Sequence, residues 1–261
     1  MHGGGGCVLV LQLTQAIAEN VLSFNEAFWL RLAYRTEACR SEEDRNDLGE
    51  LATVVMNVVE RLVKKTEEKM DDSSSILQRI MSSAAEQNGD FVVPMTKDSV
   101  QRLRQAIHES SSRLDESLLA QVGAWMRKLE NGPESERRLL PVLQRFYQLY
   151  AARALSDKNS KLFPKRQRPD DEGEKLLVSV ITADEEEWES LLLNGLVYNP
   201  NMVVKRFFDA ILRREDRVTF QLESGSYAQR IISEYLSEIE ERAKSLIAAA
   251  KEDPKKPPLK E

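Results

Sequence analysis

The chain has 261 residues, with 37 Lys and Arg against 43 Asp and Glu, a formal net charge of -6 and a pI near 5.3. This acidic balance argues against a whole-molecule attraction to nucleic acid or anionic lipid, and it leaves room only for a local basic patch. Hydrophobic residues at 41% suffice for a packed core, whereas 11 Gly, 9 Pro and 7% aromatics do not supply the turns and β-formers of an all-β fold.

Residues 1–8, with Gly3 to Gly6, read as a flexible leader. They show neither the cationic start of a secretory signal nor the Arg/Ser-rich character of a transit peptide. The apolar run at 7–11 is far short of the ~20 residues of a membrane span. Cys7 and Cys39 are distant and form no CxxC pair, so free thiols are expected.

A first helix is expected over 9–39, because Ala16, Ile17, Val21, Leu22, Phe24, Phe28, Trp29, Leu32 and Ala33 recur at threes and fours. Ser41 reads as an N-cap, followed by Glu42, Glu43 and Asp44 where the helix dipole favours acids. The helix it opens carries a wide apolar arc from Leu48 to Val63, which predicts the most buried helix of the fold. The serines at 73–75 predict a break, with a short helix at 76–81 beyond it.

Asn88-Gly89 signals a turn, and Phe91-Val92-Val93-Pro94 an extended connector. Thr96 and Asp115 should open the next two helices, and Asn131-Gly132-Pro133 should end the second of them. Pro141 should kink or restart the pattern at 139–155. Beyond a charged stretch, Thr182 with Glu185 predicts a capping box, as does Ser226 with Gln229. Arg217 to Glu223 alternates and reads as a short extended piece. Tyr227, Ile231, Tyr235, Ile239, Ala243 and Leu246 mark one face of a final helix. Three prolines among lysines at 251–261 read as a disordered tail.

No pattern here calls for a cofactor or a metal. The only histidines are His2 and His108, and both are isolated from Cys7 and Cys39 in sequence. The acidic runs at 71–72, 170–172 and 184–187 are explained by helix starts and solvation before two-metal chemistry is invoked. One basic feature stands out. Lys158, Lys161, Lys165, Arg166 and Arg168 are candidate RNA-phosphate contacts, with Phe163 as the one aromatic for base stacking. Trp29, Trp125 and Trp188 sit at apolar helical positions, as do Tyr227 and Tyr235. They are core anchors or, if exposed, partner-binding aromatics, Trp29, Trp188, Tyr227 and Tyr235 being the candidates.

Three stretches carry a resemblance. They are Phe24-Asn-Glu-Ala-Phe-Trp-Leu-Arg-Leu-Ala33, the segment from Glu187 to Leu196 with Trp188 and Gly195, and Gly225-Ser-Tyr-Ala-Gln-Arg-Ile-Ile-Ser-Glu-Tyr-Leu-Ser-Glu-Ile-Glu-Glu-Arg-Ala243. Together they resemble a plant and green-algal family of uncharacterised chloroplast proteins, sometimes labelled endoribonuclease E-like. The resemblance implies a plastid location, in the stroma. The catalytic part of that ribonuclease class is an α/β fold with an RNA-binding β-barrel, for which the helical pattern here leaves no room.

The expected fold is all-α, a multi-helix bundle with a smaller C-terminal helical block. The expected divisions are a leader (1–8), an N-terminal bundle (9–156), a charged linker (157–173), a C-terminal block (174–250) and a tail (251–261). The function expected is a non-enzymatic stromal interaction or assembly protein that binds protein partners through helix faces. The alternatives are an RNA-associated plastid factor using the basic linker and, behind it, an unrecognised nuclease or hydrolase.

Overall fold

A computed structural model describes residues 5–86, 88–163, 171–199 and 204–252, with the side chains of 5–11, 135, 251 and 252 excluded. The fold is all-α, and no strand occurs among the described residues. The helices are α1 (Gly5–Glu19), α2 (Glu26–Ala38), α3 (Glu42–Ala84), α4 (Lys97–Glu109), α5 (Glu116–Glu130) and α6 (Glu134–Arg137). They continue with α7 (Leu140–Ser156), α8 (Glu172–Thr182), α9 (Glu185–Leu192), α10 (Val204–Gln221) and α11 (Tyr227–Glu252). No described helix is long and apolar enough to cross a membrane.

Several starts follow directly from capping chemistry. The Asp44 amide donates to Ser41 Oγ at 3.3 Å, Ser99 to Thr96 Oγ1 at 3.2 Å and Leu118 to Asp115 Oδ1 at 3.1 Å. Pro141 lies in the first turn of α7, where its missing N–H leaves no helical bond unmade. At the start of α11, Gln229 N donates to Ser226 Oγ at 3.1 Å. The Gln229 carbonyl oxygen reaches back to Gly225 N at 2.8 Å, one residue earlier than a standard capping box. Gly225 has φ +77°, which a side chain would oppose.

Four local expectations are corrected. The predicted helix at 9–39 begins at Gly5, inside the expected leader of 1–8, and is two helices, because the Asn20 side chain bonds back to the Ala16 carbonyl and Asn25 caps a new start at Phe28 N. The serines at 73–75 do not interrupt α3. Ser73 and Ser74 bond to Ser117 and Gln121 of α5, so tertiary partners hold them in the helix. Thr182 closes α8, with its hydroxyl donating to the Val178 carbonyl, and Asp184 occupies the N-cap of α9. Residues 217–221 belong to α10, where Val218 is buried and Phe220 exposed as a helical face requires.

The chain divides into two compact units, Met1–Asp72 and Ser73–Glu261. This division falls inside α3, not at the expected linker of 157–173. Helices on both sides of that linker share one core, so residues 73–156 of the expected N-terminal bundle belong to the same unit as the expected C-terminal block. In that second unit α7 packs against α4, α5, α8 and α11. Leu143, Phe146, Leu149 and Leu155 of α7 are buried among Leu103, Leu119, Leu177 and Leu236. The closest pairing joins α8 and α10. A Cβ on Gly173 would overlap the backbone of Arg206 and Phe207.

The same crossing holds a buried ion pair. Arg214 is 1% exposed, and its Nε donates to Glu174 Oε1 at 3.0 Å and its Nη1 to the Leu155 carbonyl at 3.0 Å. Burial lowers the guanidinium pKa and the Glu174 carboxylate opposes that shift. The predicted tail falls largely beyond the described residues.

Candidate functional site

Two surfaces emerge once the predicted aromatics are located. Trp188 and Tyr235 are core residues, with ring centroids 5.4 Å apart in an edge-to-face arrangement. The Tyr235 hydroxyl donates to the Ile181 carbonyl at 3.4 Å, and burial pushes its phenol pKa upward. The Arg242 guanidinium lies 5.0 Å from the centre of the Trp188 ring. Tyr227 is half-buried at the start of α11, where its backbone N–H and that of Ala228 donate to the Glu116 carboxylate at 2.8 and 3.0 Å. Trp29 is half-buried in the first unit, edge-to-face with Phe28 at 5.1 Å. Of the four candidates, Trp188 and Tyr235 pack together; Tyr227 is at the opposite end of two turns of α11.

The first surface is built around the start of α9. Asp184, Glu185 and Glu186 gather there because the helix dipole favours anions at that end. Three helices answer with arginines. Arg104 of α4 pairs with Asp184. Arg145 of α7 meets Glu185 at 2.9 Å and Glu186 at 3.3 Å. Arg242 of α11 pairs with Glu185 and with Glu238, the latter at 2.7 Å. This cluster engages Asp184, Glu185 and Glu186 of the acidic run at 184–187 and ties the start of α9 to α4, α7 and α11, while Glu186 stays largely exposed and Glu187 is exposed.

Beside the cluster lies an open cleft of about 580 Å³. Met95, Val100, Met126 and Ile231 give it an apolar floor. Glu185, Glu186, Glu234 and Glu238 line it with carboxylates, against Arg145 as the one lining guanidinium. Tyr147 stands in its wall, donating to the Leu119 carbonyl at 2.9 Å, and burial pushes this phenol up to about 12. A second, more apolar cavity of about 410 Å³ is lined by Met81, Phe91, Leu129 and Leu143, with half-exposed Trp125 beside them.

The second surface is an exposed apolar face of the first unit. Among its described side chains only Ile17 and Val55 are buried. Leu48, Ala52, Val58, Val59 and Leu62 of α3 are half-buried on the stripe of Val55. Leu51, Val54, Met56, Val63 and Met70 are exposed, as are Leu30 and Tyr34 of α2. Leu22, between α1 and α2, is 92% exposed. The expectation that this helix would be the most buried is therefore corrected for 42–72. The apolar arc is wider than the stripe its own unit covers. Met56, Val63 and Met70 recur at sevens, a spacing that returns to one side of a helix every two turns.

The basic candidates are only partly visible. Lys158 and Lys161 are exposed in the turns after α7, and Lys165, Arg166 and Arg168 lie outside the described residues. Phe163, the aromatic that base stacking would need, is half-buried with the Arg214 guanidinium 5.3 Å from its centre. Among the acidic runs, Asp171 caps α8 and pairs with Arg213 at 2.7 Å, and Glu172 pairs with Lys175 at 2.6 Å. Asp170 is outside the described residues. Among the described residues no group of three or more His, Cys, Asp and Glu is placed to hold a metal ion.

Sequence reading missed Arg104, Arg145, Arg242 and Glu116 as organising residues. One signal was present for Arg145, which falls between Leu143 and Phe146 on the inward face of α7. A charge at an interior helical position implies a partner from elsewhere in the chain. No family model, no curated protein and no solved structure matches this chain.

Proposed function

We propose that the chain is a non-enzymatic helical interaction or assembly protein that binds protein partners through helix faces. The observation that carries this reading is the exposed apolar face at 42–72, with Met56, Val63 and Met70 in steps of seven. Burying such side chains contributes roughly 1.5–3 kcal/mol each before the cost of ordering the partners. A partner helix with its own apolar stripe has the shape and periodicity to cover them. The resemblance to chloroplast proteins supports the stroma as the place of action. An RNA-associated role draws support from exposed Lys158 and Lys161 and is weakened by the engagement of Phe163 with Arg214.

The test is a pull-down from chloroplast stroma, with and without nuclease, using the natural chain and the triple variant Met56→Asp/Val63→Asp/Met70→Asp. Protein partners that survive nuclease and disappear with the variant are the expected result. Partners that vanish with nuclease in the natural chain would transfer the assignment to RNA. A partner set unchanged by the variant would remove the 42–72 face from the reading. Circular dichroism of the variant controls for loss of helix.

A further inference from the structure

We propose that the acidic cleft of the second unit binds a cationic amphipathic peptide segment of a partner protein. The proposal rests on the reading of the chain as a partner-binding protein, and it names the chemistry of one class of partner. It concerns residues of the second unit only.

Charge selects the sign of the ligand. Four carboxylates line the cleft with the guanidinium of Arg145, and Arg242 also pairs with Glu185 and Glu238, so the sign at the rim is set by Glu186 and Glu234. Arg145 is committed, with its side chain 10% exposed and bonded to Glu185 and Glu186. It has little to offer an anion. Glu186 and Glu234 are the accessible carboxylates, at 61% and 68% side-chain exposure. The contact of Glu234 with Arg230 is 3.7 Å long and both side chains are more than half exposed, where solvent screening leaves such pairs weak. A Lys or Arg from a ligand can therefore replace or join that weak contact at little cost.

The floor selects the body of the ligand. Met95 and Met126 are the partly exposed apolar residues of the lining, with Val100 and Ile231 beside them nearly covered at 5% and 3% exposure. Two of the four are methionines, whose unbranched thioethers adapt to differently shaped apolar side chains. The volume of about 580 Å³ lies in the range of sites that enclose a compact ligand or a few anchoring side chains. A segment with apolar side chains on one face and Lys or Arg on the other satisfies floor and rim together. A polyamine would meet the rim and gain little from the floor.

The experiment uses the full chain and two labelled probes, followed by fluorescence anisotropy. One is a short amphipathic peptide of Leu and Lys, and the other is its counterpart with Glu for every Lys. Three variants are compared: Glu186→Gln/Glu234→Gln at the rim, Met126→Ala on the floor, and Glu42→Gln/Glu43→Gln in the first unit as a charge control. The Lys peptide should bind and weaken with salt, and the Glu peptide should not bind. The rim variant should weaken the Lys peptide about three- to tenfold, as expected for the loss of two exposed charges. The floor variant should also weaken it, and the control should leave it unchanged.

Equal weakening by rim and control variants would reduce the effect to net charge and overturn the proposal. Binding indifferent to the rim variant, equal binding of the Glu peptide, or indifference to Met126→Ala would each overturn it too. Stromal partners that depend on Met56, Val63 and Met70 would persist through any of these failures, so the two readings fall separately.

Discussion

One helix passes from one packing regime to another. Over 42–72, α3 has a single buried residue, Val55. From Ser73 onward the same helix buries Ile76, Leu77, Ile80, Met81 and Ala84. Hydrophobicity does not separate the two stretches, since Leu51, Val54, Met56, Val63 and Met70 are as apolar as the residues that follow. Neighbours do. Ser117 and Gln121 of α5 bond to Ser73 and Ser74, and Arg102 of α4 donates to the Ser83 carbonyl at 2.9 Å. Burial is a property of what a helix face meets, and the first unit has little to set against its own.

The comparison breaks or sharpens by substitution. The largest loss is expected for Glu174→Ala, which leaves Arg214 buried without its carboxylate. Such a broken pair costs about 3–5 kcal/mol and should appear as a lower urea midpoint for the second unit. Ile80→Ala should cost about 2–5 kcal/mol, because it opens a cavity in the shared core. Val63→Ala, on the same helix but exposed, should shift the midpoint by no more than about 0.5 kcal/mol. An unfolding curve in which Val63→Ala costs as much as Ile80→Ala would erase the distinction between the two stretches of α3.

Legibility followed the range of the interaction. Caps at Ser41, Thr96 and Asp115 were readable because donor and acceptor lie three residues apart. Pro141 was readable because its constraint is its own ring. Serines at 73–75 misled because a local rule for breaks competes with hydrogen bonds from α5, which are 44 and 47 residues away in sequence. Thr182 and Glu185 have capping-box spacing, yet Arg145 and Arg242 claim the Glu185 carboxylate. Trp188 and Tyr235 were open between core and surface. A periodic aromatic records which face of its own helix it occupies and nothing about what lies opposite.

The cleft was invisible for the same reason. Its floor comes from the 91–95 connector and from α4, α5 and α11, and its carboxylates from α9 and α11. No stretch of sequence contains them together. The amino-acid sequence alone determined the all-α class, most helix starts and the amphipathic stripes, since these depend on residues within a turn or two of one another. Only the tertiary structure decided which stripes are covered, which arginines become buried partners and where carboxylates converge over an apolar floor. Those outcomes depend on segments that are distant in sequence and that chain folding alone brings together.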